Sequence, residues 1–194
     1  MPERPGLSAI SELLRSKPLI GMVHLPPLPG SPRSELSLDE VIEVALEEAA
    51  ILEDAGLDGL IVENEGDTPF FRESVPTQTI AAMGFIVREV RRQTSLAFGV
   101  NLLRNACLEA MSIASLVRAD FIRCNVVIGA YVTDQGLIQG CAAELARLRQ
   151  TLDQDIAVLG DVHVKHAAPL FDVPIEDAAA DLAERGGADA VIVS

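Results

Sequence analysis

The segment AGLDGLIV, residues 55–62, returns as VRADFIRC at 117–124 and as GGADAVIV at 186–193. In each copy an aspartate stands just before a short apolar run. The three aspartates, Asp58, Asp120 and Asp189, lie 62 and 69 residues apart. That spacing matches roughly two strand–helix units of 30–35 residues each. Working outward from these copies, six short runs rich in Val, Ile and Leu read as strands: 19–24, 59–64, 96–101, 121–126, 157–163 and 190–194. Such runs suit parallel strands buried on both faces.

Helical spacing fills the gaps. Leu38, Val41, Ile42, Ala45, Ala49 and Leu52 make one apolar stripe, opened by a Ser37/Glu40 capping box and followed by Gly56. Ile80, Met83, Val87 and Val90 make a second. Residues 105–117 give a third, rich in small side chains. Leu145, Leu148 and Leu152 mark a fourth, and Ile175, Ala178, Ala179 and Leu182 a fifth, with Pro174 in its first turn. A short helix near 7–15 precedes the first strand. A doubly wound open sheet would want a glycine-rich dinucleotide turn after that strand. The turn is LPPLPGSP (25–32) instead. The expected fold is therefore α/β, a (βα)₈-type barrel, in a single domain over 1–194. A full barrel takes about 250 residues. Strands seven and eight are thus expected to be missing, leaving six strands and five intervening helices after the N-terminal one.

The chain has 194 residues and a formal net charge of −14. That acidity argues against a nucleic-acid face and against electrostatic docking on an anionic membrane. No apolar run is long enough to span a bilayer, and residues 1–17 do not read as a signal peptide. Three cysteines, Cys107, Cys124 and Cys141, give an odd count with no Cys-x-x-Cys. They predict neither a disulfide framework nor a zinc module. Cys124 reads as a buried, inert thiol, and a reducing cytoplasm is the expected location.

Side chains alternate along a strand, and the outward face of a barrel strand packs on helices. Parity then turns at least one polar residue of each strand inward near its C-terminal end. These are His24, Glu63, Asn101, Arg123 with Asn125, Asp161 with His163, and Ser194. Lys165 extends the fifth strand's polar face. A lone inward Asn or His is often a satisfied core residue, and Arg123 could serve only to neutralise Glu63 or Asp161. The convergence of six strands is harder to explain that way, and it predicts a site. Three loops extend it: the stiff 25–32 loop, EGDTPFF (65–71) with Asp67, and GAYVTDQGLIQG (129–140), read as a mobile lid or an ordinary surface loop. Polyproline recognition by the first loop is the rival to a rigid rim.

At GMVHLPPLPGSP (21–32), VENEGDTPF (62–70), GVNLLRNA (99–106), FIRCNV (121–126), TDQGLIQG (133–140) and DVHVKHA (161–167) the chain resembles the BtpA/SgcQ family. The resemblance implies a ribulose-phosphate-binding-type barrel that continues through two more strands. It also implies kinship with a photosystem I accumulation factor and with members of sugar-metabolism gene clusters. One departure is Ala106, where the family commonly has Asp.

The expected activity is acid/base chemistry on a small sugar-like or phosphorylated substrate. His24, Glu63, Asp161, His163 and Lys165 are the candidate catalytic groups. Asn101, Arg123, Asn125, Asp67 and Ser194 are the candidate substrate contacts. No metal site is assigned and the cofactor is left unknown. A divalent ion on His24, Glu63, Asp161 and His163 is the weaker variant, since no His-x-His spacing marks it. A non-enzymatic photosystem I assembly or stability factor is the alternative. Association into homo-oligomers is left open.

Overall fold

The computed structural model describes residues 7–193. Ser194 lies outside them. Six parallel strands form one curled sheet in the order β1 (Ile20–His24), β2 (Gly59–Glu63), β3 (Ala97–Asn101), β4 (Phe121–Cys124), β7 (Ala157–Val162) and β9 (Ala190–Val193). Helices α2 (Leu38–Asp54), α3 (Thr77–Gln93), α4 (Cys107–Val117), α5 (Ala142–Thr151) and α6 (Ile175–Glu184) alternate with them. Helix α1 (Leu7–Arg15) comes first. The architecture is that of six strands of a (βα)₈-type barrel.

The helix signals act as written. Ser37 Oγ accepts the Glu40 N–H while the Glu40 carboxylate accepts the Ser37 N–H, so α2 starts on a complete capping box. Gly56 ends it at φ +80°. Pro174 is the N-cap of α6.

Parity along the strands separates two apolar layers. Val23, Leu60, Val62, Phe98, Val100, Ile122, Cys124, Val158 and Val162 belong to the large core under the helices. Ile20, Met22, Ile61, Ala97, Phe121, Ala157, Leu159, Ala190 and Ile192 belong to a smaller interior cluster, closed from below by Ile10, Leu13 and Leu14 of α1. Gly99 shares the interior face, where a Cβ would collide with the Phe121 ring.

The repeated aspartates have one shared role. Asp58 Oδ2 accepts the N–H of Leu19, Asp120 Oδ2 that of Phe98, and Asp189 Oδ2 that of Val158, each at 2.8 Å. Each carboxylate therefore ties the start of one strand to the start of the strand before it. The tie recurs at every second strand, which is why the sequence copies stand two units apart. All three lie at the end of the sheet opposite the polar cluster, the end where a barrel keeps its stabilising contacts.

Three expectations need correction. Residues 129–140, read as a mobile lid or an ordinary surface loop, are regular structure: β5 (Ala130–Thr133) and β6 (Gly136–Gln139) form an antiparallel hairpin, and β8 (Ala167–Pro169) pairs with β5 as a third strand. Alternation puts Ile138 inward, where it packs with Val126 and Val164. Val126 consequently leaves the helix-facing layer. Second, the fifth parallel strand ends at Val162, and His163 takes φ +50°. Third, Cys107 and Cys124 are joined by a disulfide across a Cα–Cα distance of 5.5 Å. Cys124 faces the helices, where Cys107 opens α4. The odd count hid a spatial pair, and the argument for a reducing compartment loses its basis.

Candidate functional site

At the C-terminal ends of β1 to β4 and β7, register alone aligns the polar residues. His24 pairs with Glu63 and Glu63 with Asn101 as neighbours in the ladder. Arg123 and Asp161 come from the adjacent strands β4 and β7. The Arg123 guanidinium grips Asp161 with two parallel hydrogen bonds, Nε to Oδ1 at 3.0 Å and Nη2 to Oδ2 at 2.9 Å. Asn125 Nδ2 adds a third donor to Asp161 Oδ2 at 2.8 Å. The remaining guanidinium nitrogen, Nη1, stands 3.6 Å from Glu63 Oε2. Asn101 Nδ2 donates to that same oxygen. His24 Nε2 lies 3.8 Å from the other Glu63 oxygen.

Burial grades this cluster. The Asp161 side chain is fully enclosed, that of Glu63 is 6% exposed, and His24 is half open to solvent at 52%. Burial pushes the Glu63 carboxyl above the usual range, against the opposing pull of Asn101, Arg123 and His24. For Arg123, burial works against the charge, yet the Asp161 hydrogen bonds, with the charges of Asp161, Glu63 and Glu65, outweigh it and hold the group firmly cationic. Asn125 is buried, and its Oδ1 has no hydrogen-bond partner. A buried acceptor left unmade costs about 1–3 kcal/mol, so a donor from a bound molecule would be favoured there.

The other sequence candidates stand apart. Asp67 accepts the Leu28 N–H at 2.8 Å and the Asn64 side-chain amide at 3.0 Å, which fastens the first rim loop to the second. His163 Nε2 lies 2.9 Å from the Val173 carbonyl oxygen. It lines a cavity of about 420 Å³ with Tyr131, Leu170, Phe171 and Arg185, and Asp161 also borders that cavity. Lys165 is exposed, and its carbonyl accepts from Arg104. The ligand set His24, Glu63, Asp161 and His163 does not converge, because Arg123 occupies both Asp161 oxygens and His163 turns to Val173. Among the described residues, the one group of three or more side chains close enough to share an ion is Cys107, Cys124 and Cys141.

Two buried asparagines escaped sequence reasoning. Asn64 Oδ1 accepts the Leu103 N–H at 2.7 Å. Asn105 brackets Val126, accepting its N–H at 2.7 Å and donating to its carbonyl at 3.0 Å. Each sits just past a strand, where it replaces the ladder partner that the backbone has lost. The only signal was position, an Asn in the first few residues after an apolar run.

Residues 15–194 match the model of the BtpA family. The chain belongs to the BtpA family. A Pyrococcus horikoshii protein of uncharacterised function is 52% identical over 179 residues, which span 92% of this chain and 68% of that one. The photosystem I biogenesis protein BtpA of Synechocystis is 48% identical over 91% of this chain and 62% of its own length. Among solved structures, a Schiff-base-forming fructose-1,6-bisphosphate aldolase aligns at a TM-score of 0.41 and 12% identity, over 97% of this chain and 91% of that one. Among the described residues no helix is long and apolar enough to cross a membrane.

Proposed function

We propose that this BtpA-family chain carries the acid/base part of an enzyme site for a small, sugar-like or phosphorylated substrate, at the C-terminal mouth of the sheet. The observation that carries the reading is Glu63. It is a buried carboxyl whose proton affinity is raised by burial, with an exposed imidazole 3.8 Å away on the solvent side. A general base works best when its pKa approaches the working pH. Glu63 would take the proton from a carbon or hydroxyl of the substrate, and His24 would exchange it with solvent.

Arg123 would hold the oxyanion that develops as the proton leaves. Asp161 fixes the guanidinium in place, so no reorganisation is needed at that moment. Asn125 Oδ1 would accept a substrate hydroxyl, and Asn101 would keep the Glu63 oxygen oriented. Asp67 would keep the two rim loops fastened to each other. A second reading, an assembly or stability role, rests on the name of the Synechocystis relative alone.

The test is a panel of sugars, sugar phosphates and hydroxy acids, screened by thermal shift and then by solvent-deuterium exchange. A hit should lose proton exchange by about 10²–10⁴-fold in Glu63→Gln while binding persists. Exchange that is unchanged in Glu63→Gln refutes the assignment. A panel with no binder, together with co-purification of photosystem I subunits, would favour the second reading.

A further inference from the structure

On the opposite face of β4 from Arg123 and Asn125, three sulfurs meet. Cys124 is the last residue of β4, Cys107 the first of α4, and Cys141 the N-cap of α5. Their sulfur atoms lie within 4.8 Å of one another, and the Cys124 and Cys141 sulfurs are 3.6 Å apart. Two helix N-termini thus point at one small volume through cysteine side chains. Neither helix has a side-chain cap of its own hydrogen-bonded there. Such ends carry partial positive charge and favour thiolates. Asn105 Oδ1 stands 3.4 Å from the Cys107 sulfur and 3.9 Å from that of Cys124, a neutral oxygen facing the same volume.

We propose that Cys107, Cys124 and Cys141 form a binding site for one thiophilic d¹⁰ metal ion, available when the Cys107–Cys124 bond is reduced. A metal–sulfur bond of about 2.3 Å in a tetrahedral set puts its sulfurs roughly 3.8 Å apart. The 3.6 Å pair already meets that spacing. Cleaving the disulfide lets the third sulfur separate toward it. The reduction takes two electrons and two protons from a dithiol, which closes its own disulfide. Binding of a divalent ion then releases three thiol protons, one from each cysteine, and leaves three metal–sulfur bonds.

The site lies behind the strand that carries Arg123, so it is independent of any reading of the barrel mouth.

The experiment uses the full chain, reduced under argon and freed of reductant, titrated with cadmium(II). The ultraviolet thiolate-to-cadmium band should grow to saturation at one ion per chain. Cys141→Ser keeps the disulfide pair and should weaken binding by roughly 100-fold or more. The oxidised chain should give no band. Reduced wild-type protein that binds cadmium no more tightly than Cys141→Ser overturns the proposal, and so does equal binding by the oxidised chain. If reduction unfolds the protein, one equivalent of cadmium should restore the melting transition in wild type and not in Cys141→Ser. Failure to restore it counts equally against the site.

Discussion

Replacing Asp161 by Asn tests whether the mouth of the sheet is held by charge or only by shape. Asp161 accepts two bonds from Arg123 and one from Asn125, and its side chain is fully enclosed. Asparagine keeps the volume but removes the charge and offers an amide where two donors already point. Breaking one partner of a buried pair costs about 3–5 kcal/mol. Arg123 remains 19% exposed and keeps Glu63 at 3.6 Å, which places the loss near the lower end. The expectation is therefore about 3 kcal/mol in urea unfolding, or a fall of roughly 6–12 °C in Tm for a chain of this size. An apolar pair, Arg123→Met with Asp161→Leu, should cost clearly less than the sum of its single variants, with a coupling of about 2 kcal/mol. A loss under about 1 kcal/mol for Asp161→Asn, or strict additivity in the cycle, would refute the view that these two groups form one unit.

Two further outcomes follow from the same geometry. Burial raises the Glu63 pKa above the ordinary carboxylate value, so the folded state binds this proton more tightly than the unfolded chain does. Its contribution is present below the unfolded pKa and is lost as pH rises through the folded one. Wild type should thus lose stability relative to Glu63→Gln over that window, and parallel pH profiles of the two proteins would sink the argument. At the other end of the sheet, Asp189 joins the Val158 N–H to Arg149, whose Nη2 is 2.9 Å away and whose side chain is 8% exposed. Asp189→Ala should cost about 2 kcal/mol in urea unfolding. It should leave ligand-induced thermal shifts intact, and a loss of ligand response would mean the two ends are coupled.

Much of the architecture was legible because two periodicities of the backbone are obligatory. A strand with helices outside and a filled interior must alternate, and Val23, Val62, Val100 and Ile122 fall on the helix side as parity requires. The rule holds while the ladder holds. It lapses at Val162, where the chain leaves the sheet and His163 adopts a left-handed backbone that turns its ring toward Val173. It lapses again at Val126, which follows the hairpin rather than α4. The disulfide was invisible for a different reason. Cysteine spacing reports pairing only in small disulfide frameworks, whereas Cys107 and Cys124 meet because α4 folds back along β4.

The division of labour between the two inward carboxylates is the property that pattern alone could not supply. Glu63 and Asp161 share parity and strand end, and sequence reading gives them the same role. Reach separates them. The short Asp161 side chain on β7 meets both Nε and Nη2 of the neighbouring arginine and accepts from Asn125 as well, so both its oxygens are engaged within the protein. The longer Glu63 on β2 stands two strands away from Arg123 and meets only Nη1, at 3.6 Å. Burial outweighs the pull of Asn101, Arg123 and His24 and raises its proton affinity, and the half-exposed His24 stands beside it. One carboxylate thus anchors the cation, and the other keeps a raised proton affinity beside an exposed imidazole. That asymmetry arises from side-chain length and strand order, the two quantities that only the folded chain brings together.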